Sequence, residues 1–172
     1  IYDQPEFLLN NLAVRGEFVL ESAKRLVEMG VDALVFCDDC ADKKGPLISP
    51  DHYREYVAPI ESAILSALRK ERAEIPVIVH CDGNIWPLID IYAEIGFDGI
   101  HALEPVAGMD IGEVKRRYGE RMILLGNVDC GHTLCEADLE SVRREVRSCI
   151  DKAATGGGYI LSSSNTIHDG VN

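Results

Sequence analysis

The chain has 172 residues, 47% of them hydrophobic and 27% charged, which is typical of a soluble globular protein with a sizeable core. Its 29 acidic and 17 basic residues give a net charge of −12, which disfavours nucleic acid and anionic membrane surfaces as partners. Apolar runs are too short to span a membrane and no secretory leader is visible, so we expect a cytoplasmic protein with reduced cysteines.

Predicted strands alternate with amphipathic helices along the chain. The predicted helices cover residues 6–29, 50–71, 85–95, a segment that begins after Asp110, and 133–154. The predicted strands cover residues 33–37, 75–79, 99–103, 122–125 and 159–162. This alternation is typical of parallel βα units.

Several helix boundaries carry local signals. Ser49 followed by Pro50 combines an N-cap with a proline at the first helical position, and Pro59 is expected to kink the helix. The segments 110–113 and 133–136 both have the spacing of a capping box, so each is expected to open a helix.

Polar residues end every predicted strand, and no G-x-G-x-x-G phosphate-binding turn follows any of them. These strand ends are Asp38-Asp39, His80-Cys81-Asp82, His101 with Glu104, Asn127 with Asp129, and 162–165. Reactive residues around all the strand ends favour part of a (β/α)8 barrel over an open doubly wound sheet. Because such a barrel needs about 250 residues, we expect one domain over residues 1–172 with about five strands, incomplete at both ends.

The apolar run 75–79 leads directly into His80, Cys81 and Asp82, and this is the strongest candidate site. Side chains alternate along a strand, so His80 and Asp82 are expected to share the barrel interior while Cys81 points outward. The two inward groups are suited to a metal or a polar substrate. The alternative is that they stabilise the Gly83-Asn84 turn by hydrogen bonds.

Other strand ends supply further candidates. Asp38 and Asp39 can accept hydrogen bonds from substrate or bind metal, and the alternative is a solvated loop. His101 can face inward or be a satisfied core histidine, and Asp129 can bind substrate or stabilise a turn. The polar turn at 162–165, with His168 after it, is suited to orienting hydrogen bonds.

Five short motifs are spread along the chain, namely residues 30–33, Asp38-Asp39 with 45–50, 80–84, 125–129 and 157–160. Together they resemble the second half of the uroporphyrinogen decarboxylase superfamily, which also contains corrinoid-dependent methyltransferases. The resemblance spans nearly the whole chain. It implies a (β/α)8 barrel with its active site at the carboxyl ends of the strands, in agreement with the pattern of polar strand ends.

The residues depart from both branches of that superfamily. The arginine-rich segment and nearby catalytic Asp of the decarboxylases have no match, their serine is replaced by Asp39, and their late histidine falls at Asn165. In the zinc methyltransferases His80 matches the first ligand, but Asp82 and Asn165 stand where two cysteines would be. His80 and Asp82, with Asp39 or His168, can instead form a harder N/O metal site.

The leading hypothesis from the resemblance is metal-assisted methyl transfer from a small methylated substrate to a corrinoid, free or held by a corrinoid protein. His80 and Asp82 would bind a divalent metal, zinc or another, and Asp39 would join them in catalysis. The expected substrate-binding residues are Asp38, His101, Asp129 and Asn165. The alternatives are decarboxylation of a porphyrinogen-like or simpler acid, and a non-catalytic barrel fragment that self-associates as a homo-oligomer.

Overall fold

The computed structural model describes residues 2–172, and its elements alternate as predicted. The helices are α1 (Pro5–Glu28), α2 (Pro50–His52), α3 (Ala58–Glu71), α4 (Ile89–Ile95), α5 (Ile111–Tyr118), α6 (Thr133–Glu136) and α7 (Leu139–Ala153). The strands are β1 (Leu34–Cys37), β2 (Ala41–Asp42), β3 (Gly45–Pro46), β4 (Val77–Cys81), β5 (Gly99–Ala102), β6 (Ile123–Val128) and β7 (Tyr159–Ser163).

Five of the strands form one parallel sheet in the order β1-β4-β5-β6-β7. This confirms the α/β fold class and the five parallel strands. The strands β2 and β3 form a separate two-stranded hairpin in the loop after β1, which the sequence pattern did not predict. Because the five strands of the main sheet are parallel, the loops that follow them lie at the same edge of the sheet, where the polar strand ends meet.

The sheet curves as a segment of a barrel does. The Asn165 amide, in the loop after β7, donates to Asp82 Oδ2 after β4 at 2.6 Å. These strands are three places apart, so in a flat sheet about 14 Å would separate them. Curvature therefore brings the β7 loop over the end of β4, as the predicted partial barrel requires. Both outer strands are open, and Val35 on β1 and Ile160 on β7 are about half exposed.

The core lies between the sheet and helices α3, α4 and α5. Its members include residues that lie at or near zero exposure, namely Leu68, Ile75, Val77, Ile89, Tyr92, Ile100, Val114 and Leu124. Cys149 on α7 is also buried. Among the described helices, none has both the length and the apolar character needed to cross a bilayer.

The helix predicted over residues 133–154 is wrong as a single element. It is divided into α6 and α7 because Ala137 and Asp138 are extended, and the Asp138 side chain caps α7 by accepting from Ser141 N at 2.7 Å. Thr133 makes no cap, and its hydroxyl donates to Glu145 instead.

The predicted helix over residues 50–71 is interrupted rather than simply kinked. A π-helical turn at Tyr53–Val57 separates α2 from α3 and ends two residues before Pro59. Proline has no N–H to donate and its ring crowds the preceding turn, so a locally widened turn before it is the physical result.

Glu61 on α3 is a carboxyl group buried in this layer. Its exposed fraction is 8%, and Tyr53 Oη donates to its Oε2 at 2.8 Å. Burial raises the pKa of Glu61 to about 7, the Tyr53 hydrogen bond opposes this, and the negative charge of Asp38 adds to it. Between pH 4.5 and about pH 7 the folded protein therefore retains a proton on Glu61 that the unfolded chain has lost.

We expect Glu61→Gln to raise stability at alkaline pH. Because the folded-state pKa is raised from 4.5 to about 7, the wild-type free energy of unfolding falls as pH rises across that interval. The neutral amide can still accept from Tyr53 and avoids this loss, which amounts to about 3 kcal/mol above pH 7. Urea unfolding of both proteins at a series of pH values measures the difference.

Plotted against pH, the free energies of unfolding of the wild type and Glu61→Gln should change in parallel at acid pH and diverge towards alkaline pH. Glu120→Gln, at an exposed position, is the control and should follow the wild-type curve. Parallel curves for wild type and Glu61→Gln would contradict the buried, protonated state of Glu61.

Candidate metal centre

The candidate centre lies at the carboxyl ends of β1, β4 and β5. In the register of the sheet, Cys37, His80 and His101 are neighbours, so their side chains lie on the same face. Cys81 faces the opposite side, where it is buried and its Sγ accepts from Cys40 N at 3.2 Å. The outward orientation predicted for Cys81 is therefore present.

Three side chains converge at one point. Asp39 Oδ1 lies 3.8 Å and Asp82 Oδ1 lies 3.6 Å from His80 Nε2. One ligand atom from each residue can be chosen so that all three lie within 4.8 Å of one another. Asp39 belongs to the loop after β1, and its Oδ1 is held in place by Asp82 N at 3.0 Å. One imidazole nitrogen with two carboxylate oxygens is a donor set for a hard or borderline divalent cation.

The two oxygens of Asp82 differ in their surroundings. Oδ2 accepts from Asn165 Nδ2 at 2.6 Å, whereas Oδ1 is buried without a hydrogen-bond partner among the described residues. A buried carboxylate oxygen without a partner is costly. A cation between Asp82 Oδ1, His80 Nε2 and Asp39 would satisfy that oxygen, so the residues present fit a divalent metal.

His101 contacts the far side of the His80 ring. The two Nδ1 atoms are 2.7 Å apart, and the His101 Nε2 lies 3.3 Å from the carbonyl oxygen of Ser163. Burial lowers the pKa of His101, and the nearby His80 lowers it further. The neutral imidazole is therefore the favoured form of His101.

The turn after β4 is held by a residue that the sequence did not single out as part of the site. Glu104 Oε2 accepts from Gly83 N at 3.0 Å, which fixes the backbone directly after Asp82. Glu104 is one of the polar residues that follow β5, so its position after a strand was the available signal.

The other predicted site residues have contacts elsewhere. Asp38 lines a groove of about 340 Å³ beside α1 and α3, which Glu61 also lines. Burial raises the pKa of Cys40, and the negative charge of Asp38 raises it further. Asp129 Oδ1 accepts from Gly131 N at 2.9 Å, and Asp129 N donates to Glu145. His168 lies 3.8 Å from Cys135 Sγ. The structure thus brings together Asp39, His80, Asp82, His101 and Asn165.

These features define a barrel-type α/β protein with a candidate metal centre at its strand ends. The family model described as uroporphyrinogen decarboxylase matches residues 1–172. The chain therefore belongs to the uroporphyrinogen decarboxylase family.

Individual relatives come from both branches of the superfamily. A uroporphyrinogen decarboxylase of Thioalkalivibrio sulfidiphilus is 28% identical over 99% of this chain and 46% of its own length. The methylcobamide:CoM methyltransferase MtaA of Methanosarcina barkeri is 25% identical over 81% of this chain and 39% of its own length. The chain thus spans about half or less of these relatives.

A solved structure supports the fold. A methyltransferase from Methanosarcina mazei superimposes with a TM-score of 0.72 and 24% identity, and the match covers 88% of this chain and 41% of the other. At this identity the likeness bears on the fold alone, and it agrees with the five-stranded parallel sheet.

Proposed function

We propose that the protein is an enzyme that catalyses metal-assisted transfer of a methyl group from a small methylated substrate to a corrinoid. The observation that carries the proposal is the buried Asp82 Oδ1, which has no hydrogen-bond partner among residues 2–172 and lies 3.6 Å from His80 Nε2. The family membership supports an enzyme, and the relative in Methanosarcina barkeri is named for a methyl transfer that involves a cobamide.

In this proposal His80, Asp82 and Asp39 would hold the divalent metal. The bound cation would supply a Lewis acid that polarises the heteroatom of the substrate, and this heteroatom would keep the electron pair of the broken bond when the methyl group passes to a cobalt(I) corrinoid, free or on a corrinoid protein. Asn165 orients Asp82 by fixing its Oδ2, so that its Oδ1 points towards His80. Asp39 is the most exposed of the three proposed ligands.

The ligand set departs from soft thiolate coordination. The described cluster contains one nitrogen and carboxylate oxygens, which favour zinc, manganese, iron or cobalt in the divalent state over ions that require sulfur. Asp38 and Asp129 take no part in the proposed centre, because their contacts lie in the groove beside α3 and in the turn after β6.

Metal titration followed by a methyl-transfer assay tests the proposal. We expect the full-length protein to bind one divalent cation with a measurable heat, using Co²⁺, Zn²⁺ and Mn²⁺ separately. Each loaded sample is then given cobalt(I) corrinoid and methanol or an aryl methyl ether, and methylation is followed by the change in the corrinoid spectrum.

The same protein, assayed before any metal is added, separates methyl transfer from decarboxylation. Release of carbon dioxide from a porphyrinogen or simpler acid, without bound metal, would support decarboxylation instead. Absence of metal binding would contradict the proposed function, and so would metal binding without methylation of the corrinoid by any of the tested donors.

A further inference from the structure

The contacts of His101 determine which nitrogen of His80 carries a proton. The carbonyl oxygen of Ser163 can only accept a hydrogen bond, so the His101 Nε2 beside it must be the protonated nitrogen. In a neutral imidazole the other nitrogen then bears the lone pair. His101 Nδ1 is therefore an acceptor.

The same assignment of donor and acceptor roles fixes the proton on His80. Its Nδ1 lies 2.7 Å from the His101 Nδ1, and a hydrogen bond at this distance needs a donor. His80 Nδ1 must carry the proton, and a neutral His80 then presents a lone pair at Nε2. That nitrogen faces Asp39 Oδ1 and Asp82 Oδ1.

We propose that His101 is a positioning residue that holds His80 in the tautomer with its lone pair at Nε2, directed into the candidate metal centre. The use of that tautomer for a cation rests on the proposed function. The orientation is rigid at both ends: His80 and His101 are register partners in β4 and β5, and Ser163 ends β7. A second hydrogen bond of this kind commonly fixes the ring of a metal-binding histidine.

Without His101, the surroundings of His80 favour the other tautomer. The carboxylate oxygens of Asp39 and Asp82 lie near Nε2 and can only accept, so they stabilise a proton on that nitrogen. Such a proton would block Nε2 as a ligand. Removal of the acceptor at His101 Nδ1 should therefore change the tautomer even in the absence of metal.

Two variants of nearly equal size test this inference in the full-length protein. His101→Leu removes the acceptor, whereas His101→Asn retains an amide oxygen near the place of Nδ1. Histidine side chains labelled with ¹⁵N report the tautomer by NMR at alkaline pH without metal, and Co²⁺ titration reports the dissociation constant. Circular dichroism and thermal unfolding establish that both variants are folded.

We expect wild-type His80 to show a protonated Nδ1 and an unprotonated Nε2. His101→Leu should shift the proton to Nε2 and weaken Co²⁺ binding by about ten- to hundredfold, and His101→Asn should restore most of both. A wild-type His80 protonated at Nε2, or the same tautomer in wild type and His101→Leu, would overturn the inference. If the tautomers agree but the wild type binds no Co²⁺, Zn²⁺ or Mn²⁺, the inference stands and the proposed function fails.

Discussion

Replacement of His80 by alanine is expected to abolish tight metal binding and, with it, methyl transfer. His80 supplies the one nitrogen ligand of the described cluster and stands between Asp39 and Asp82. Loss of a residue that hydrogen-bonds to a metal ligand typically weakens metal affinity by about ten- to hundredfold. Loss of the ligand itself should exceed this, so we expect the dissociation constant to rise by more than about 100-fold.

Isothermal titration with Co²⁺ and the corrinoid assay measure the two effects. His132→Ala is the matched control, because His132 is exposed and contacts Glu136 on α6, away from the cluster. It should bind metal and transfer methyl groups as the wild type does. Unchanged Co²⁺ affinity in folded His80→Ala would exclude the centre at Asp39, His80 and Asp82.

The strands and most helices could be predicted because their signals are local. The β-branched run that becomes β4 and the alternation behind the five strands are written in short windows of sequence. The N-cap at Asp110 is equally local, and its side chain accepts from Glu113 N at 2.9 Å as the capping-box spacing indicates.

The helix at 133–154 was mispredicted because two cap signals competed. Thr133 and Glu136 have capping-box spacing, but Asp138 lies directly before a more regular amphipathic segment and caps it. The Thr133 hydroxyl is drawn to Glu145 on α7, which is a tertiary contact. A short window of sequence cannot decide which of two adjacent caps the packed structure uses.

The residues that converge at the candidate site could be predicted in part, because strand alternation and polar strand ends are local signals. Strand alternation gave His80 and Asp82 on one face, and polar strand ends gave Asp39 and Asn165 as candidate residues. The choice between Asp38 and Asp39 depends on how the β1 loop turns, and the His80–His101 contact depends on strand register. These are long-range properties of the curved sheet, so local patterns could not resolve them.

Gly83→Ala should be among the most damaging single changes near the centre. Gly83 has a φ of +82°, and an added Cβ would lie 2.5 Å from the Asp42 carbonyl oxygen. A left-handed conformation costs an L-residue about 1–2 kcal/mol, and displacement of packed backbone adds about 1–3 kcal/mol. We expect the free energy of unfolding to fall by about 2–5 kcal/mol in total.

Gly156→Ala provides a control with the same backbone strain. Gly156 also has a φ of +82°, but no atom lies within 4 Å of its added Cβ. Urea unfolding should therefore show a loss of only about 1–2 kcal/mol for this variant. The difference isolates the close approach of Gly83 to the β2–β3 hairpin.

The candidate metal centre should respond to Gly83→Ala as well. The Gly83 N–H donates to Glu104 and directly follows Asp82, so a shift of this turn displaces the Asp82 carboxylate. We expect weaker Co²⁺ binding in Gly83→Ala under conditions where it is folded, and unchanged binding in Gly156→Ala. Equal stability losses in the two variants would show that the turn relaxes freely and does not fix Asp82.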